Sequence, residues 1–192
     1  MNPLLHETEQ LVVQTLFADG FIKYSLLCQQ NIPKEKHYFT ILSTLDEIVP
    51  NTLDKMTWKC ENWGLRMTIS KDIPILLGKA LPLFVERLFA RACLSQDLIT
   101  QSLFAIHPGG PKIISQVANL LGLQPHQISH SEEVLKNFGN MSSATLPHIW
   151  EKILKDDEIS SESLVVSLAF GPGLNISGSL MKKFTGDELC IF

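Results

Sequence analysis

The sequence predicts an α/β fold in which a mixed sheet carries helices on both faces. Strand-like and helix-like runs alternate along the chain, with no internal repeat and no low-complexity linker. An apolar run over residues 103–106 leads into His107-Pro108-Gly109-Gly110-Pro111 and then a helix-like run over 112–121, a strand-turn-helix unit. Further on, residues 163–170 and 174–181 flank Gly171-Pro172-Gly173 in the pattern of two antiparallel strands.

Taken in order, residues 7–16 suit a short helix or coil before a turn at Ala18-Asp19-Gly20. Residues 21–28 and 38–45 alternate as strands, joined through Asn31-Ile32-Pro33. Residues 55–62 and 65–70 flank Trp63-Gly64 as a hairpin peripheral to the main sheet. Asp72 can accept from exposed backbone N–H groups and Pro74 costs nothing in a first turn, so a helix starts there and runs to about Cys93. Pro82 is expected to kink or break it near Gly78. A short helical turn begins at Ser95-Gln96-Asp97, and the helix over 112–121 ends at Gly122, a good C-terminal cap. Residues 127–129 read as a short strand, 132–138 as a helical turn, and 141–156 as a longer helix. That last helix opens on Ser142-Ser143-Ala144, residues small enough for another backbone to approach closely.

Composition narrows the function. A chain of 192 residues with 45% hydrophobic and 19% charged content is an ordinary globular domain able to bury a proper core. The net charge of −4, with Lys and Arg scattered, supplies neither the basic stripe nucleic acid requires nor a polybasic membrane patch. No apolar run approaches the roughly 20 residues that span a bilayer. The N-terminus lacks a basic region followed by an apolar one, so a cytoplasmic protein is expected. Cys28, Cys60, Cys93 and Cys190 are far apart and form no CxxC pair, which points to reduced thiols. His126, His130 and His148 have no Cys or carboxylate at ligand spacing, so no metal is expected.

Three blocks carry a resemblance. His107-Pro108-Gly109-Gly110-Pro111, then Asn137-Phe138-Gly139-Asn140-Met141-Ser142-Ser143-Ala144, then Phe170-Gly171-Pro172-Gly173-Leu174 closely resemble, in order and spacing, the C-terminal half of the type III polyketide synthases. These are the chalcone and stilbene synthase family, within the thiolase-like condensing enzymes. The similarity extends more weakly to Gly64-Leu65-Arg66-Met67, Lys71-Asp72-Ile73-Pro74 and Leu16-Phe17-Ala18-Asp19-Gly20. It implies a thiolase-like C-terminal half-fold over residues 31–184, with residues 1–30 a remnant of the preceding half-domain and 185–192 a tail.

The resemblance also implies chemistry. The family reaction is a decarboxylative condensation in which malonyl-CoA loses carbon dioxide and the resulting enolate attacks an acyl group held on a cysteine. Charge develops on thioester oxygens, and neutral donors fixed in advance stabilise it best. His107 and Asn140 match the family's donor pair. A histidine there can also lower the pKa of a cysteine partner. Gly109 and Lys112 match positions along the pantetheine entrance. Ser142 belongs to the same block as Asn140, and Gly171, Pro172 and Gly173 form a loop that shapes the wall near the nucleophile, with Ala169 replacing the loop's first glycine. Met67 falls where the family commonly places an aromatic gatekeeper, which implies different acyl groups.

Taken alone, His107 also reads as a packed core histidine and Asn140 as a helix cap. None of the four cysteines matches the family nucleophile, and most of the family's CoA-phosphate residues have no counterpart in this sequence. Three readings follow: an acyltransferase subunit whose cysteine-bearing half is a separate chain, a non-catalytic remnant or regulatory protein, and a CoA-thioester binding module. CoA thioesters enter as substrates, with no bound cofactor. Because the half-folds pack through their central helices, the 141–150 helix is expected to mediate a homodimer, or a heterodimer with the missing half.

Overall fold

The protein is described here by a computed structural model covering residues 8–28 and 36–186. The connection at Asn31-Ile32-Pro33, Cys190 and most of the tail lie outside the described residues. Among the described residues, five helices and six strands follow in chain order, with a 3-10 turn before β4 and another before α5. They are α1 (Thr8–Leu16), β1 (Tyr38–Ile48), β2 (Met56–Glu61), β3 (Gly64–Ile69), α2 (Ile73–Arg91), β4 (Leu103–Ile106), α3 (Pro111–Leu121), α4 (Pro125–Phe138), α5 (Thr145–Lys155), β5 (Leu164–Gly171) and β6 (Asn175–Phe184).

The main sheet is four-stranded in the order β1-β6-β5-β4. β5 and β6 are antiparallel, β1 and β6 are antiparallel, and β4 and β5 are parallel. Burial on both faces follows from the two-residue period of a strand. Phe104, Ile106, Val166, Leu168 and Leu180 join one core with α2 and α3 side chains. The intervening Ala105, Val165 and Met181 join a second with Ile149 and Ile153 of α5. The mixed sheet with helices on both faces is therefore the fold the sequence predicts, and β2 with β3 form the separate two-stranded hairpin.

α4 closes one edge of the sheet. Ser131 accepts from the Ile106 N–H at 2.9 Å and donates to the Phe104 carbonyl at 3.2 Å, occupying the outer side of β4. Gln127 Nε2 donates to the Ser102 carbonyl at 2.6 Å, just before the strand.

Four local expectations are corrected. Residues 127–129 are helical, inside α4, because Pro125 opens the helix and Gln127 Oε1 accepts from the Gln124 N–H at 2.8 Å. Pro82 does not break α2, which runs unbroken from Ile73 to Arg91. A helix-interior proline costs about 3 kcal/mol, whereas each large apolar side chain buried on this face returns about 1.5–3 kcal/mol. Leu77, Leu81, Phe84, Val85, Leu88 and Phe89 are all buried there, so packing wins.

Asp72 precedes α2 without capping it by its side chain, which pairs with Lys55 Nζ at 3.3 Å. Finally, residues 21–28 form no strand. Phe21, Tyr24, Leu26 and Leu27 are exposed, since alternation makes a strand only where the backbone finds an edge to pair with.

Candidate active site

Beyond the C-terminal ends of the parallel strands β4 and β5 lies a cavity of about 760 Å³. His107 enters it as the residue after β4. Its N–H donates to the Leu168 carbonyl at 2.8 Å, extending the ladder by one residue, and its carbonyl accepts from the Gly109 N–H at 3.0 Å. Burial lowers the imidazole pKa from its ordinary 6.5 to about 4. At neutral pH the ring is uncharged, with one nitrogen carrying a proton.

Asn140 reaches the same cavity from the turn between α4 and α5. Its N–H donates to the Leu16 carbonyl at 2.9 Å and its carbonyl accepts from the Ala18 N–H at 2.9 Å. Phe17 and Asn140 thus form an isolated parallel bridge that clamps this backbone. Gly139 makes the turn possible: its φ is +72°, and an added Cβ would sit 3.1 Å from the Leu16 carbonyl oxygen. The buried Asn140 side chain accepts from the Ser142 N–H through Oδ1 at 2.9 Å. The amide therefore does cap the following turn, and the same bond orients Nδ2, whose two protons remain as donors.

Of the other residues singled out in the sequence, Met67, Gly109, Lys112, Ser142 and Pro172 line the cavity, while Gly171 and Gly173 flank Pro172 without lining it. Met67 is buried, and its carbonyl accepts from Gln10 Nε2 of α1 at 2.9 Å. The loop at Gly173 is tied down by the buried Thr52, whose hydroxyl lies 2.8 Å from the Gly173 carbonyl.

Sequence reasoning missed most of the wall. Met56 and Trp58 of β2 face the cavity beside their cross-strand partners Ile69 and Met67 of β3, so these two pairs on one face of the hairpin are lining. The alternation of apolar residues on β2 and β3 was the available signal. Phe17 meets Trp58 edge-on with ring centroids 6.3 Å apart, and Tyr24 meets Trp150 in the same way at 5.9 Å. None of Cys28, Cys60 and Cys93 lines the cavity, and all three are exposed.

The helix expected over 141–156 is resolved into a 3-10 turn (Ser142–Ala144) and α5. Met141, Ile149 and Ile153 are buried against β4, β5 and β6, so the chain itself covers much of its apolar surface. Ser142 and Ser143 stay exposed, and Leu146 and Trp150 face the cavity. Two other histidines are engaged elsewhere: His130 Nε2 lies 2.9 Å from an Asp156 carboxylate oxygen, and His148 stacks on Phe138.

A mixed sheet with helices on both faces and a site beyond the ends of β4 and β5 is the architecture of the thiolase-like condensing enzymes. The chain belongs to the chalcone and stilbene synthase family, matching its C-terminal domain over residues 40–185. Probable polyketide synthase 1 of Dictyostelium discoideum is 32% identical over 178 residues, covering 91% of this chain and 6% of that protein. The alpha-pyrone synthesis polyketide synthase-like Pks18 of Mycobacterium tuberculosis is also 32% identical over 178 residues, covering 91% of this chain and 44% of its own. Among solved structures, the C-terminal type III polyketide synthase domain of Steely1, a type I/III hybrid from Dictyostelium, superposes with a TM-score of 0.81 at 28% identity. That match covers 94% of this chain and 50% of the domain, so the chain spans half the length of its solved relative. Among the described residues, no helix is long and apolar enough to cross a membrane.

Proposed function

We propose that this chain supplies the oxyanion-stabilising half of a type III polyketide synthase, acting on malonyl-CoA and an acyl thioester. The observation that carries the reading is the presence of two neutral N–H donors, His107 and Asn140, on the wall of one largely apolar cavity. In the proposed step the bond between the malonyl carboxylate and the α-carbon breaks and carbon dioxide leaves. The electron pair moves into an enolate whose oxygen receives hydrogen bonds from His107 and Asn140 Nδ2. The enolate carbon then attacks the acyl carbonyl, and a cysteine thiolate departs. Donors already in place need not reorganise as charge appears, which is why a fixed pair lowers the barrier.

Among the described residues no cysteine lines this cavity, and in this reading the thiolate is contributed by a cysteine-bearing N-terminal half. The exposed Ser142 and Ser143, with Leu146 and Trp150, form the surface for that partner or for a second copy of this chain. A second reading, a CoA-thioester binding or regulatory module, is favoured by the same lack of a cavity cysteine.

The test is reconstitution. Alone, the chain incubated with malonyl-CoA and an acyl-CoA starter should form no condensation product. Adding the cysteine-bearing N-terminal half of a family member should produce one, and His107→Ala should abolish it. Robust product from the chain alone would overturn the assignment. Acyl-CoA binding with no product in the mixture would favour the binding module.

A further inference from the structure

Two parts of the chain are strand partners without a match. The main sheet ends at β4 on one side and β1 on the other. The β4 side is closed by Ser131, which bonds both the Ile106 N–H and the Phe104 carbonyl. The β1 side is open: among the described residues, the backbone of Tyr38–Ile48 pairs with β6 alone. Its register irregularity lies between Ile41 and Ser43, so residues 43–48 remain a regular edge, free of proline and lysine, of the kind that pairs with another chain. Beside that edge stands the exposed Leu83, one turn before Arg87 of α2, which reaches Glu47 of β1.

The other part is the segment 21–28. It leaves the fold at Gly20, where an added Cβ would sit 2.5 Å from the Met141 sulfur. Beyond that point no backbone–backbone hydrogen bond holds it among the described residues. It is kept from its own β1 by the Tyr24 ring on Trp150 of α5, a helix that packs on a face of the sheet and not at the β1 edge. Phe21, Tyr24, Leu26 and Leu27 are all exposed, a contiguous apolar row of the kind that marks an interaction site.

The two parts match in register and charge. Set antiparallel with Lys23 opposite Asp46, the segment puts Phe21 opposite Ile48 on the same face, both exposed. On the other face Tyr24 then meets Leu45, which packs against the main core, and Leu26 meets Ser43 beside α2. Lys23 and Asp46 are exposed, and neither forms an ion pair with a described residue; Asp46 accepts from the Ser177 hydroxyl.

We propose that residues 21–28 are an exchange strand, which leaves α5 and adds to the outer edge of β1 in a second copy of this chain, each copy giving one strand and receiving one. Donor and acceptor sit on the same chain, so a twofold dimer satisfies both at once. The backbone ladder supplies the binding and the facing side chains fix the register. The arm is rooted against Met141, next to Ser142 and Ser143, so the small-residue surface described above lies at the centre of the same dimer.

Sedimentation of the whole chain at tens of micromolar should give a dimer. Hydrogen exchange followed by mass spectrometry should show the amides of residues 43–48 protected at that concentration and exposed on dilution. Ser25→Pro removes an N–H from the donor strand and should weaken the dimer about tenfold or more. Because Ser25 is exposed and has no backbone partner in the single chain, the melting temperature of the diluted protein should not change. Lys23→Glu and Asp46→Lys each act twice in a reciprocal dimer, so each should weaken it about tenfold, two surface pairs of about threefold. The two substitutions together should restore it.

A dimer that survives Ser25→Pro and both charge reversals, yet is split by Ser143→Arg, would overturn strand exchange. A monomeric wild type whose 43–48 amides stay protected until Ser25→Pro frees them would put the strand on its own β1 and overturn it equally. So would a monomeric wild type with those amides unprotected.

Discussion

Acidification should separate the folded and unfolded states through His107. Its pKa is held near 4 by burial, against 6.5 in a solvated chain. Between these values the unfolded state binds a proton that the folded state refuses. Stability due to the neutral imidazole is thus fully present above about pH 6.5, falls as the pH drops toward 4, and falls no further below that. The interval corresponds to about 3 kcal/mol, an upper bound because the residue keeps some solvent contact. The carboxylates of Glu151 and Asp156, which also have lowered pKa values, add their own loss below about pH 4.5, so a difference measurement is needed.

Urea unfolding of wild type and His107→Asn, followed by circular dichroism from pH 7 to pH 4, isolates the histidine. Wild type should lose about 2–3 kcal/mol more than the variant across that range. A ring-resonance titration should place the His107 midpoint near 4. Identical pH dependence in the two proteins, or a midpoint near 6.5, would refute the argument. The imidazole would then be solvated and protonate at mildly acid pH, a different donor from the one proposed for the enolate.

Three further outcomes can be checked. Asn140→Ala removes the acceptor for the Ser142 N–H and should cost about 1 kcal/mol in thermal unfolding; Asn140→Asp, which keeps an acceptor there but presents a charge to the cavity, should recover stability without restoring turnover in the reconstituted enzyme. Lys183 is fully buried and donates to the Asp156 and Ile159 carbonyls at 2.6 and 2.9 Å, so Lys183→Met should destabilise by about 1–3 kcal/mol and lower the melting temperature measurably. Ser143→Arg should shift sedimentation from dimer to monomer at tens of micromolar; a wild type that sediments as a monomer would show that the surface left at Ser142 and Ser143 is too small to associate.

Residues whose role is local were legible in the chain. The run over 103–106 and the Pro-Gly-Gly-Pro turn specify a strand that must stop and a helix that must start, which puts His107 at the end of β4. Gly122, at φ 66°, ends α3 as a left-handed cap. The antiparallel pairing of β5 with β6 follows from alternation on either side of a Gly-Pro-Gly turn.

Tertiary contacts decided the rest, because backbone polar groups and apolar faces are satisfied by whatever lies beside them in space. Pro82 stays inside an unbroken α2 because six buried side chains outweigh one missing hydrogen bond. Residues 21–28 alternate like a strand yet have no edge to pair with, and the outer side of β4 is taken by Ser131, 25 residues away from its partner Ile106. The Asn140 backbone is held by a bridge to Phe17 from far back in the sequence, a contact that the local bond from the Ser142 N–H to its side chain does not foretell. His107 is neutral for a similar reason: a histidine acquires its pKa from its surroundings, and here those are walls contributed by the hairpin, α3, α5 and the N-terminal segment.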